Sequence, residues 1–223
     1  MMNLSTVKAA ASGQRRSLAL DRRETGGGAP GLAIRFAQDA QIYGDGDENG
    51  SFYKVVAGVV RTCKFRIGGR RQIDAFHLPG EFFGFDAGDR HSLSAEAVCD
   101  CAVVSYRWRA FKSDGEIDDR LAAQFFFHAM QNLRRAQDHA LLLGHYSAAQ
   151  KVAAFLIDMA SRASFDEFID LAMARHDIAD YLGLTMETVS RTLSNLERAA
   201  IIARPTTRRI RITNEQALRR ISS

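Results

Sequence analysis

Cysteine is scarce in this chain, and its placement matters more than its number. Cys63, Cys99 and Cys101 are odd in count and confined to the first half of the sequence, which offers no disulfide framework and fits a reducing compartment. Residues 1–62 contain none, so the four thiolates of an ordinary iron–sulfur centre cannot be assembled. None follows Cys101, which leaves no thiol to oxidise in the second half. No apolar run approaches the roughly 20 residues that a bilayer-spanning helix needs, and the first residues lack the apolar core of a signal peptide. A cytoplasmic protein with no membrane partner is therefore expected.

Catalytic and metal-binding patterns are missing too. The histidines, His77, His91, His128, His139, His145 and His176, show neither HxxxH nor HxH spacing, and no P-loop, nucleophile elbow or acid pair stands out. Glu81 is a loop residue with no visible partner for acid–base work. A cupin-like enzyme would need clustered histidines and carboxylates in its β domain, which His77 and His91 alone do not make. The expectation is no enzyme, no metal and no cofactor.

What the chain does contain is His176-Asp-Ile-Ala-Asp-Tyr-Leu-Gly-Leu-Thr-Met-Glu-Thr-Val-Ser-Arg-Thr-Leu-Ser-Asn-Leu-Glu197. Ile178, Ala179 and Leu182 recur at helical spacing, Gly183 permits a left-handed stop, and Thr185 can cap a second helix with apolar side Val189, Leu193 and Leu196. That is helix-turn-helix spacing. The second helix's other face carries Glu187, Thr188, Ser190, Arg191 and Asn195, side chains able to reach base edges and phosphates. Ile201–Thr213 follows as two β-branched runs around Pro205, a hairpin beside that helix. Arg204, Arg208, Arg209 and Arg211 flank or occupy it, so phosphate contacts would fix register without reading sequence. Asn214 caps a last helix through Ile221.

The formal net charge is only +4, so its distribution carries more than its size. Residues 145–184 hold three Lys/Arg against six Asp/Glu, a balance of −3, and residues 185–223 hold eight against three, +5. Positive charge begins with the second helix. Residues 1–30, with Gly26-Gly27-Gly28, Pro30 and five basic against two acidic residues, read as a disordered arm with no structure before about Gly31.

From Gly31 to about Lys112 short β-prone runs alternate with glycines: Leu32–Phe36, Phe52–Ala57, Val59–Ile67, Arg71–Leu78, Leu93–Cys99 and Ala102–Tyr106. This is the pattern of a sandwich or jelly roll. Leu93, Ala95, Ala97 and Cys99 share one face and Cys101 continues the parity, so both cysteines read as small core residues. Glu116–Leu143 then runs without glycine or proline, and Ala122, Phe126, Ala129, Leu133, Ala136, Ala140 and Leu143 step by four and three along it. That heptad seam predicts a parallel homodimer, with Gly144 as stop and hinge. A second stripe, Leu121, Phe125 and Leu142, faces the β domain. The division is a 1–30 arm, a 31–113 β domain, a 114–144 dimerisation helix and a 145–223 DNA-binding domain whose first helix covers Ser147–Ala163.

This order of parts resembles the CRP/FNR family of bacterial transcription regulators over about residues 31–223. Asp177-Ile-Ala-Asp-Tyr-Leu-Gly-Leu-Thr-Met-Glu-Thr-Val-Ser-Arg191 is similar to the FixK-like branch, with Leu78-Pro-Gly-Glu-Phe-Phe-Gly-Phe-Asp-Ala-Gly-Asp as the matching β segment. The resemblance implies an α+β fold: an N-terminal cyclic-nucleotide-binding-like β-roll, a long dimerisation helix and a C-terminal winged helix-turn-helix. It implies that Glu187, Ser190 and Arg191 read a TTGA-type half-site in an inverted repeat; by their own side chains and places, Thr185, Thr188, Asn195, Arg204, Arg208 and Arg209 are expected to hold the DNA backbone. Base chemistry agrees, since arginine pairs bidentately with guanine and glutamate accepts from cytosine N4. In cyclic-AMP-binding members a Glu after the Pro-Gly pair holds the ribose and an Arg-Ser pair grips the phosphate. Here Glu81 matches, but the pair is His91-Ser92, with Arg90 one residue away. The resemblance then implies an activator that contacts RNA polymerase without a bound effector, at genes of microaerobic respiration or nitrogen fixation. A roll switched by a cyclic nucleotide or haem is the alternative.

Overall fold

The computed structural model describes residues 16–17, 33–65, 68–108, 119–162 and 167–223. Among these, the first nine strands are β1 (Arg16–Ser17), β2 (Ala33–Phe36), β3 (Gln41–Tyr43), β4 (Ser51–Ala57), β5 (Val60–Phe65), β6 (Arg71–His77), β7 (Phe82–Phe83), β8 (Ser94–Ala97) and β9 (Cys101–Arg107). They form two antiparallel sheets, ordered β1-β2-β9-β4-β7 and β3-β8-β5-β6. Buried between them are Ile42, Val55, Val60, Phe83, Ala95 and Val103. Gly58, at φ 76°, makes the β4–β5 turn possible, because a Cβ there would meet the Asp100 carbonyl at 2.4 Å.

Several expectations shift by one element. β3 and β7 went unread because three- and two-residue runs have no periodicity of their own and exist only through pairing with β8 and β4. Arg16–Ser17, inside the arm to which no structure is assigned, pairs with Arg35 and Ile34, since an open sheet edge accepts a strand with little sequence demand. The other arm residues lie outside the described ones. Ala95 and Ala97 are buried as the alternation requires, but Ser94 is buried too, and Cys99 is only half-buried. Parity breaks because β8 stops at Ala97 and a bend precedes Cys101, which is buried. Burial pushes the Cys101 and Cys63 thiols up to about 12.

His77, at the end of β6, is buried with Nε2 3.2 Å from the Thr62 hydroxyl. Burial outweighs the pull of Glu81, and with Arg162 and Arg135 brings its pKa from 6.5 down to about 4. The unfolded chain takes up a proton near 6.5 that the fold refuses until near 4. Stability is therefore full above that window and falls by on the order of 3 kcal/mol as pH drops through it. Urea unfolding at about pH 7 and about pH 5 checks this. His77→Gln should lose much less stability between the two than the parent, and an equal loss would acquit His77.

The long helix, α1, covers Asp119–His145. It passes through Gly144, where the sequence expects a stop. The break comes at Ser147 instead, which caps α2 (Ala148–Arg162) in a box with Gln150: the Gln150 amide donates to Ser147 Oγ, and the Ser147 amide to Gln150 Oε1. Phe125 meets Phe52 edge-on at 5.0 Å and Phe85 at 4.8 Å, as its stripe predicts, and Leu142 packs on a buried cluster that joins Ile73 and Phe76 of the roll to Leu156 and Ile178 of the second half. The Leu121 side chain lies outside the described residues. Of the seam, Phe126, Leu133, Ala136 and Ala140 are exposed, while Ala122, Ala129 and Leu143 are half-buried. The bare apolar face is wider than the heptad reading: Phe126 67%, Phe127 59%, Met130 49%, Leu133 51% and Leu141 64% exposed. Among the described residues no helix is long and apolar enough to cross a membrane.

The remainder forms α3 (Arg175–Leu182), α4 (Met186–Arg198), α5 (Glu215–Ser222) and a sheet ordered β10 (Ile169–Asp170), β12 (Arg209–Ile212), β11 (Ile202–Ala203). β10 is unpredicted for the same reason as β3.

Candidate nucleic-acid interface

Gly183 ends α3 in the left-handed region at φ 63° and ψ 38°, with its amide on Ala179, which turns the chain at once into α4. Thr185 caps α4 by accepting from the Thr188 amide at 3.2 Å. Val189, Leu193 and Leu196 are buried against Ile178, Ala179 and Leu182 of α3. The apolar positions read from the sequence therefore fix which way α4 faces.

Its free face presents Glu187, Arg191, Asn195 and Arg198 to solvent, with Thr188 and Ser190 half-buried alongside. Glu187 is fully exposed, and its own backbone N–H, with the Thr185 hydroxyl, holds its carboxyl below the usual range. It therefore stands ionised, as a pure acceptor. Among the described residues neither Arg191 nor Arg208 has a carboxylate partner. The other expected contacts are partly engaged. Thr185 and Thr188 hydroxyls lie 3.1 Å apart, and Asn195 Oδ1 accepts from Arg198 at 2.6 Å. Arg204 donates Nε to Glu197 at 3.0 Å and Nη2 to Ser194 at 3.2 Å. Arg209 pairs with Asp170 at 3.1 Å and lies over the Phe168 ring at 4.6 Å.

The wing turn is tied by Thr206 Oγ1, which accepts from the Arg208 and Arg209 amides. Between wing and α4 opens a cleft of about 620 Å³ lined by Arg175, Ser190, Arg204, Thr206 and Arg208. Arg175 was not read from the sequence. It stands at the start of α3 and donates to the Thr207 carbonyl at 2.5 Å, where burial, then the nearby Arg204 charge, lower its pKa. Met186, 48% exposed at the start of α4, was missed as well. Its neighbours' polarity hides an apolar side chain suited to a thymine methyl. Arginines of α3 and the wing thus line the cleft beside α4, whose free face carries Arg191, Arg198 and one ionised glutamate, an arrangement suited to an anionic duplex.

Known proteins place this architecture. Residues 33–113 match the cyclic nucleotide-binding domain and residues 150–221 the Crp-like helix-turn-helix domain. The nitrogen fixation regulation protein FixK of Azorhizobium caulinodans is 44% identical over 198 residues, covering 86% of this chain and 80% of that protein. Its namesake in Rhizobium meliloti is 38% identical, covering 85% and 87%. The solved structure of FixK2 from Bradyrhizobium japonicum superposes with a TM-score of 0.82 at 39% identity, over 87% of this chain and 98% of that one. The chain belongs to the CRP/FNR family of transcription regulators, in its FixK-like branch.

Proposed function

We propose that the protein is a cytoplasmic homodimeric activator that reads an inverted repeat of TTGA-type half-sites and recruits RNA polymerase without a bound effector. Its genes would be those of nitrogen fixation, as the names of its FixK relatives suggest, or of microaerobic metabolism. The observation that carries the reading is the exposure of Glu187 and Arg191, with Ser190 beside them, on the one face of α4 that its packing leaves free. Two copies related by a two-fold axis along α1 would lay these helices in major grooves roughly 34 Å apart. Thr185, Thr188, Asn195, Arg204, Arg208 and Arg209, joined by Arg175, would hold the phosphates.

Independence from an effector is supported by the roll. Glu81 is occupied by Arg135 and Arg162. Where phosphate-binding relatives carry an arginine, His91 Nδ1 bonds Asp86 at 2.9 Å, and Ser92 donates to the same carboxylate. An incoming phosphate would meet that carboxylate. A cavity of about 320 Å³ nevertheless separates roll from α1, lined by Tyr43, His77, Phe83 and Asn132, and favours the ligand-switched reading to that extent. Calorimetry with cyclic nucleotides and the absorption spectrum of purified protein separate the two.

Selection from a random duplex pool tests the main reading: an inverted TTGA-type repeat should emerge, and no enrichment would sink it. Arg208→Ala should weaken binding to repeat and random duplex alike and reduce the salt slope by about one per copy. A loss confined to the repeat would make Arg208 a base reader instead.

A further inference from the structure

The DNA-reading domain does not hang from α1 alone. Its α2 and α3 lie against β5 and β6, where Phe76 meets Phe155 at 6.4 Å and Tyr181 at 5.3 Å. Ile73 and Cys63 of the roll share one buried cluster with Leu156, Ile178 and Leu182. Apolar contact of this kind holds two bodies together but sets their angle loosely. Directed bonds at its border do the rest.

Glu81 receives four donors. Arg162, the last residue of α2, gives Nη2 to Oε2 at 2.8 Å and Nε to Oε1 at 3.1 Å; Arg135 of α1 gives Nη1 to Oε1 at 2.8 Å; and the Leu78 amide reaches Oε2 at 3.0 Å. Arg162 also reaches the Phe76 carbonyl at 2.5 Å. One carboxylate thus joins the roll, the long helix and the DNA-reading domain. At the opposite side of the contact, Asp177 of α3, its side chain 3% exposed, accepts from Arg61 at 3.2 Å and from Arg71. Arg71 continues to Asp180 at 2.9 Å, and Gln72 donates to the Asp180 carbonyl at 2.7 Å. Asp177 caps its own helix as well, through the Ala174 amide. Removing one partner of such buried pairs strands a charge, so each pair penalises every other orientation of the two bodies.

We propose that these two latches, Arg162 and Arg135 on Glu81 and Asp177 on Arg61 and Arg71, fix the orientation of the DNA-reading domain on the roll from within the chain. The inference rests on the reading that the protein binds its repeat without a ligand. Glu81 takes the protein's own guanidiniums as its ligands.

The full-length protein carrying Glu81→Gln, Arg162→Gln, or both, tests the idea by affinity for the selected repeat and by hydrogen exchange of amides 178–182 in the absence of DNA. Each single change should cost about tenfold or more in affinity and speed that exchange, with the double no worse than either single, because all three lose the same pair. Folded, dimeric variants with parental affinity and exchange would overturn the latch. Should burial make those variants misfold, Arg135→Gln and Arg71→Gln, with side chains 29% and 14% exposed, carry the same expectation. A parent protein that fails to prefer the repeat would refute the functional reading alone, since exchange still reports the latch.

Discussion

Arg191→Ala should abolish most of the preference for the inverted repeat while leaving salt-dependent binding to random duplex in place. The guanidinium stands exposed on the free face of α4, one turn from ionised Glu187. A bidentate pair with guanine O6 and N7 distinguishes that base by about 1–3 kcal/mol. Because the proposed two-fold dimer would read the half-site twice, the specific complex should lose about 2–6 kcal/mol, or roughly 30-fold to more than 10⁴-fold. The phosphate contacts proposed for Arg208 and Arg209 are untouched, so random duplex should be bound nearly as before, with the same salt slope. Competition titrations of parent and variant on repeat and scrambled duplex decide it. Equal losses on both would remove Arg191 from base reading and make it another phosphate contact.

The same contrast between local and distant partners explains what could be read in advance. Gly183, Thr185, Val189 and Leu193 act within one turn or one helix of themselves, and their spacing announces the helix-turn-helix directly. The wing was legible because Pro205 separates two β-branched runs. Glu81 was opaque for the opposite reason. Its partners Arg135 and Arg162 lie 54 and 81 residues away, and no local pattern marks a pair made only by folding. Arg204 was expected on phosphate and is found partly held by Glu197, seven residues earlier, since the wing folds it back along α4. The heptad stripe proposed as a dimer seam follows only part of the exposed apolar side of α1. A strict four-three count follows a single stripe, whereas the side of α1 that the roll leaves bare also includes Phe127, Met130 and Leu141.

That bare face makes the strongest expectation. Phe126 and Leu133 are more than half exposed beside Phe127 and Met130, and a contiguous apolar patch of such side chains is seldom left to water. The two-fold arrangement proposed along α1 would cover it with its own copy, each residue counting twice. Burying a phenylalanine or leucine side chain contributes about 1.5–3 kcal/mol, so Phe126→Glu with Leu133→Glu would forfeit about 6–12 kcal/mol of association and set like charges against each other across the axis. Sedimentation at micromolar concentration should find a monomer, and circular dichroism should find the helix content kept, because neither side chain is buried within its own chain. The monomer retains one reading helix, hence roughly half of the specific binding free energy and almost no discrimination between one half-site and a pair. If the doubly charged variant still sediments as a dimer and holds the repeat with parental affinity, the seam lies elsewhere, and the two reading helices are not spaced by α1.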